Sequence, residues 1–172
     1  MATGRNVFLI GPTGAGKTTI GKILAQELNK SFYDVDEQIE RRTGVDIPWI
    51  FDVEGEKGFR ERETQMIEEL SQKQDVILAT GAGAILKEDN RKVLSSRGVV
   101  IYLKASLQEQ MDRTQDDKNR PLLQQGEVAE TLSKMREQRT PYYEDLADYS
   151  FDTDGRSAKT VAQEIIKQLK DN

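Results

Sequence analysis

The chain predicts an α/β fold, a parallel sheet of five strands covered by helices on both faces. Short continuous apolar runs alternate with stretches of helical spacing, as strands buried on both faces require. The first of these runs feeds a glycine-rich loop that opens a helix. That loop, Gly11-Pro12-Thr13-Gly14-Ala15-Gly16-Lys17-Thr18, fits G-x-x-x-x-G-K-[ST] in the strand–loop–helix setting the pattern needs.

Each element has its own signal. Residues 6–10 read as a short buried strand and 18–28 as the helix behind the loop. Residues 31–34 form a second strand running into Asp36, with a helix beginning near Glu37. Residues 75–80 and 99–103 are β-branched and apolar, and 149–152 is a weaker fifth strand. Between 57 and 72, Phe59, Met66, Ile67 and Leu70 share one helical face, with Arg60 and Glu63 a turn apart off it. Val161, Ile165 and Leu169 recur at i, i+4 and i+8 near the C-terminus. Pro141, in Arg139-Thr140-Pro141-Tyr142-Tyr143, can start a helix after a joint. No repeat, low-complexity tract or linker divides residues 1–172, so one domain is expected.

Composition narrows the chemistry. Lys plus Arg is 25 against 30 Asp plus Glu, a net charge of −5, which argues against general nucleic-acid or membrane-surface binding. An anionic substrate must then be held by a few local cations. The chain has no cysteine, which excludes disulfides, thiol catalysis and zinc–thiolate sites. It has no histidine either, so proton transfer falls to a carboxylate, Lys, Tyr or water. Met1 to Asn6 lacks a signal-peptide core and no apolar run nears the ~20 residues of a membrane span, so a cytoplasmic address is expected. No apolar surface stripe is left over, which makes a monomer the default.

In the loop, glycines let successive N–H groups converge on an anion, and the helix behind adds its positive end. Lys17 can reach the β- and γ-phosphates and the Thr18 hydroxyl can ligate Mg²⁺. Asp34 and Asp36, at the end of the second strand, face the crevice where open α/β sheets bind ligands, though an Asp there can equally cap the next helix. Arg60 either joins a salt-bridged helical face or offers a fork to a carboxylate. Thr80-Gly81-Ala82-Gly83-Ala84 permits close ligand approach or marks a tight turn. Arg139 can face solvent or the site. The polar segment 112–126, with Arg120 and Pro121, is a solvated loop by composition and a natural lid by context.

Taken in order, GPTGAGKTTIG, FYDVDEQIE, GFRERE, LATGAGA, RPLL, RTPYYEDLAD and FDTDGRSAK closely resemble the shikimate kinases of bacteria, over essentially the whole chain. The resemblance implies a compact P-loop kinase of the nucleoside-monophosphate-kinase type with a mobile lid at about 112–126 and a substrate-binding region at about 34–61. It implies transfer of the ATP γ-phosphoryl group to the 3-hydroxyl of shikimate, on the route to chorismate and the aromatic amino acids. ATP then lies on Gly14, Ala15, Gly16, Lys17, Thr18 and Thr19, with Arg120 at the phosphates and Arg156 by the adenine. Asp36 contacts the acceptor hydroxyl, Arg60 and Arg139 clamp the carboxylate, and Gly81, Ala82 and Gly83 line the substrate. Thr18, and Asp34 through water, hold Mg²⁺. Lys17, Asp36 and Arg120 are the expected catalytic residues.

One departure stands out: the family usually has three consecutive glycines where this chain has Gly81-Ala82-Gly83. If the middle position needs φ > 0, or the substrate packs on its Cα, the methyl intrudes. The guanine-reading N-K-x-D of regulatory GTPases is absent, Asn29-Lys30-Ser31-Phe32 being the nearest string. A kinase of gluconate or of a nucleoside monophosphate, or a non-catalytic relative that only binds nucleotide, fits the retained Asp, Arg and Lys set less well.

Overall fold

The structure is a computed structural model that describes residues 4–114 and 125–171. All five strands are present: β1 (Val7–Ile10), β2 (Ser31–Asp34), β3 (Val76–Ala79), β4 (Val99–Lys104) and β5 (Tyr149–Asp152). They form one parallel sheet in the order β2-β3-β1-β4-β5. β1 is central, with Phe8 opposite Leu78 of β3 on one side and Val100 of β4 on the other. The chain therefore leaves β1 at a point where neighbouring connections diverge, and a crevice opens there at the C-terminal strand ends.

The helices are α1 (Lys17–Leu28), α2 (Val35–Thr43), α3 (Ile47–Ser71), α4 (Glu88–Arg97), α5 (Leu107–Thr114), α6 (Gln125–Leu146) and α7 (Ala158–Lys170). Alternate strand residues enter two separate cores. Val7, Leu9, Ile77, Ile101 and Leu103 meet Ile20 and Leu24 of α1 and Val161, Ile165 and Leu169 of α7. Phe8, Ile10, Leu78, Val100 and Tyr102 meet Val35, Ile39, Phe59, Ile67, Leu94 and Tyr143 on the opposite face. Burial on both faces is why β1 and β3 read as unbroken apolar runs rather than alternating ones.

Three boundaries differ from the sequence expectation. α2 begins at Val35 rather than near Glu37, because the Asp34 carboxylate accepts from Glu37 N at 3.1 Å and caps the helix. α3 begins at Ile47, nearly three turns before residue 57. Asp46 caps it through Trp49 N at 2.9 Å, and Gly55, at φ 74 and ψ 177, then breaks it into two arms. The short first arm exposes Trp49 and Val53 while Phe51 stacks on Phe59 with ring centroids 4.8 Å apart. Pro141 starts no helix. It lies inside a continuous α6, so Arg139 is a mid-helix residue and not part of a joint. α6 is held on both sides of the proline, by Arg136 on Ala105 O at 2.6 Å and by Tyr143 on Ala82 O at 2.5 Å, and these anchors outweigh one missing N–H. The expected lid segment is helical at its start, in α5, and at its end, in α6; Arg120 and Pro121 lie outside the described residues.

Close packing of α1 on the sheet gives a test in which two effects oppose. At Gly21 a Cβ would collide with the Phe32 ring and lie 3.2 Å from Leu9 Cδ1. Alanine gains about 1 kcal/mol of helix propensity there, but overpacking costs about 1–3 kcal/mol. Gly21→Ala is expected to lower the urea midpoint; a raised midpoint would mean that Phe32 moves aside freely.

Candidate active site

The crevice is built on the sheet's C-terminal edge. After Ile10 the chain turns through the loop into α1, whose N-cap, Gly16, sits in the left-handed region at φ 89 and ψ 20. α1 has no side-chain cap and no acid in its first turn, whereas Asp34, Asp46 and Ser157 cap α2, α3 and α7. Its first N–H groups and its positive dipole end are thus left for an anion. Ala15 is an exception within the loop. It is buried in the core and its N–H is bonded to Pro12 O at 3.2 Å.

Lys17 donates to the carbonyls of Gly11 at 2.5 Å and Pro12 at 2.9 Å. Burial lowers its pKa to about 8, against the pull of Asp36 and Asp34. The Thr18 hydroxyl donates to Asp34 Oδ2 at 2.7 Å while Asp34 Oδ1 caps α2, so both readings of Asp34 hold. A hydroxyl and a carboxylate so placed suit Mg²⁺, a hard cation that takes oxygen ligands from one or two side chains and from phosphates. Among the described residues no group of three or more His, Cys, Asp or Glu could hold a metal ion by itself.

Gly14, Gly16, Lys17, Thr18, Thr19, Asp34, Asp36, Gly81 and Ala82 line one cavity of about 250 Å³, together with Thr13 and Thr80. Asp36 is largely enclosed. Burial first, then the Glu63 and Asp34 charges, raise its pKa to about 7 despite Lys17 and Arg60. Glu63 is fully buried, against the expectation that it lies off the packed face. It accepts from Arg60 Nη1 at 2.8 Å, and burial raises its pKa although Arg60 and Arg139 oppose the shift. Arg60 and Glu63 thus form the ion pair that the helical spacing allows, turned inward rather than to solvent. Asp36 Oδ1, Glu63 Oε2, Arg60 Nε and Arg139 Nε are buried polar atoms without a hydrogen-bond partner, Arg60 Nε being 3.5 Å from Glu56 Oε1 in an ion pair. Such atoms are uncommon in native interiors.

Arg139 does not line the main cavity. It borders a narrower one that shares Thr13 and includes Tyr102 and Tyr143. Its charge is nonetheless felt at Lys17 and Glu63. Gly83 lies under Arg60, where a Cβ would collide with the guanidinium. At Gly81 a Cβ would lie 2.9 Å from Glu63 Oε2 and 3.0 Å from Asp36 Oδ1. Arg156 is set apart from this group, bonded to Asp152 O at 2.9 Å and paired with Glu164 at 2.6 Å.

Ala82 causes no strain. Ala84 N bonds Gly81 O at 3.1 Å and Gly83 has φ −95 and ψ 5, which makes residues 81–84 a type I turn with Ala82 at its second position. That position takes most residues, and Ala82 is not among those with positive φ.

Three site residues escaped the sequence reading. Glu63 is signalled by its spacing from Arg60 and by the GFRERE stretch that it ends, with no role of its own assigned. Tyr143 stands in the RTPYYEDLAD stretch that carries the resemblance, with no role of its own assigned. Arg113, hidden in a polar run, donates to the carbonyls of Gly14 and, at 3.4 Å, Thr153, tying α5 to the phosphate loop.

A five-stranded parallel sheet with this loop and crevice is the architecture of the P-loop small-molecule kinases. The family model described as shikimate kinase matches residues 13–170. A shikimate kinase of Legionella pneumophila (strain Corby) is 56% identical over 165 residues, covering 96% of this chain and 94% of that protein. Shikimate kinase 1 of Yersinia pestis (strain Pestoides F) is 53% identical over 173 residues, with both chains covered in full. The structure of the Acinetobacter baumannii shikimate kinase in complex with shikimate superposes with a TM-score of 0.94 at 45% identity, covering 99% of this chain and 96% of that one. The chain belongs to the shikimate kinase family.

The turn geometry sets an expectation for Ala82→Gly. Replacing an unstrained alanine by glycine adds freedom to the unfolded chain and is expected to cost about 0.4–1 kcal/mol in urea denaturation. Stabilisation instead would show that the methyl is strained.

Proposed function

We propose that this protein transfers the γ-phosphoryl group of ATP to the 3-hydroxyl of shikimate, giving shikimate 3-phosphate and ADP for the synthesis of chorismate and the aromatic amino acids. The observation that carries this reading is the crevice itself. In a chain of this family, the uncapped α1 N-terminus, Lys17 and the Thr18–Asp34 pair share one cavity with Asp36, with Arg60 beside it.

Phosphoryl transfer through a loose transition state needs mainly positioning and charge neutralisation. The N–H groups of the Gly14–Thr19 region, Ala15 excepted, receive the phosphates, and Lys17 exchanges its carbonyl bonds for phosphate oxygens. Thr18 directly and Asp34 through water would hold Mg²⁺, which would supply neutralisation of phosphate charge. Arg120 reaches the phosphates and Arg156 the adenine.

Asp36 has a proton affinity near neutrality, suited both to orienting the acceptor hydroxyl and to taking its proton as the new O–P bond forms and the bond to the β-phosphate oxygen breaks. Arg60 and Arg139 hold the substrate carboxylate, and the Gly81-Ala82-Gly83 backbone lines its ring. The reading accounts for how a chain of net charge −5 binds an acid, through two cations that both lie near enough to act on Glu63.

With this reading go a single kinase domain with a lid at about 112–126, action as a monomer, and a cytoplasmic setting without nucleic-acid or membrane partners. Among the described residues no helix is long and apolar enough to cross a membrane.

ADP release from Mg·ATP is expected to depend on shikimate and not on gluconate or AMP. ATP binding without shikimate-dependent turnover overturns the reading. Arg139→Lys keeps the charge and loses the fork, and is expected to raise KM for shikimate about ten- to a hundredfold with little change in KM for ATP. Excess EDTA is expected to abolish turnover, and added Mg²⁺ to restore it.

A further inference from the structure

The turn that carries Gly81, Ala82 and Gly83 has all its carbonyls held from behind. Gly81 O accepts from Ala84 N and Gly83 O from Leu86 N, each at 3.1 Å. Ala82 O accepts from the Tyr143 hydroxyl at 2.5 Å, Ala84 O from Asn90 Nδ2 at 3.0 Å and Ile85 O from Arg91 Nη1 at 2.7 Å. Arg91 is itself held over the Tyr142 ring, 4.5 Å from its centroid. Side chains of α4 and α6 therefore fix the carbonyls of Ala82, Ala84 and Ile85 in a segment with no strand partner.

The opposite edge of the turn is unused. None of the N–H groups of Gly81, Ala82 and Gly83 donates to an acceptor among the described residues. In a trans peptide C=O and N–H point opposite ways, so the hydroxyl that holds Ala82 O turns the Gly83 N–H away from α6. On that side Gly81 and Ala82 line the main cavity and Arg60 lies over Gly83.

Tyr143 is built for this task. It is 2% exposed and stacked on Tyr102 with ring centroids 5.0 Å apart. Burial raises its pKa further above the ordinary tyrosine value, so the hydroxyl stays a donor. It also lies four residues after Arg139, on the same side of α6, so the bond that orients the turn fixes the rotation of the helix carrying Arg139.

We propose that Tyr143 is a positioning residue for acceptor binding, acting through the Ala82 carbonyl to present the Gly83 N–H, in register with Arg139, to the acidic substrate, while Asn90 steadies the same turn at the Ala84 carbonyl. This rests on the reading of shikimate as acceptor. Neither side chain touches the reacting atoms, so their loss changes how the acceptor is held and not how ATP is held.

The test is steady-state ADP release by the wild type, Tyr143→Phe and Asn90→Ala, with shikimate and ATP varied in turn and thermal melts in parallel. Tyr143→Phe keeps the ring and loses one hydrogen bond. It is expected to raise KM for shikimate about three- to tenfold and to leave KM for ATP within about twofold. Folded Tyr143→Phe with an unchanged shikimate KM, or with both KM values raised alike, overturns the proposal. If Tyr143→Phe does not fold, Asn90→Ala is held to the same criterion. A wild type without shikimate-dependent turnover fails the functional reading instead, and shows it before any variant is compared.

Discussion

The buried pair of Arg60 and Glu63 is the interaction on which the crevice depends. Each would be costly alone: Glu63 is fully buried, and breaking one member of such a pair typically costs about 3–5 kcal/mol. Together they bring a cation to the glycine turn and a carboxylate to Asp36. Glu63 also helps set the proton affinity of Asp36, which burial and two neighbouring acids push up while Lys17 and Arg60 pull it down. In a chain without histidine, carboxylates crowded against one another bring a proton affinity near neutrality to this crevice.

The remaining geometry follows from where the sheet ends. The phosphate loop follows β1, the Asp34–Asp36 step follows β2 and the glycine turn follows β3, three strands that are neighbours in the sheet although far apart in sequence. Asp34 shows how closely these edges are joined. One of its oxygens caps α2 and the other accepts from Thr18, so the helix that carries Asp36 and the helix that carries Lys17 share a carboxylate. Arg113 adds a second tie, from α5 to the loop.

The central strands were legible because burial on both faces leaves continuous apolar runs, and the phosphate loop because its glycines and Lys17 have few other uses in that setting. Asp34, Asp36, Gly81 and Ala82 were legible as site residues once strand ends were known. The inward turn of Glu63 was not, since a charged residue one helical turn from an arginine looks the same on a solvated face. Pro141 misled because a local rule for helix starts was outweighed by anchors at Ala105 and Ala82, both distant in sequence. The first arm of α3 was missed because its exposed Trp49 and Val53 give no one-sided apolar stripe.

By itself, then, the sequence determined the layered fold, the anion-binding loop and the chemical inventory: no imidazole and no thiol, with carboxylates, lysines and arginines in their place. These follow from periodicity and residue type, which are local. Only the tertiary structure decided which charges are buried together, that Ala82 sits unstrained in a type I turn, and that Tyr143 holds that turn by its carbonyl. Those outcomes depend on contacts between segments tens of residues apart, where desolvation and the pairing of polar groups, rather than local preference, fix the arrangement.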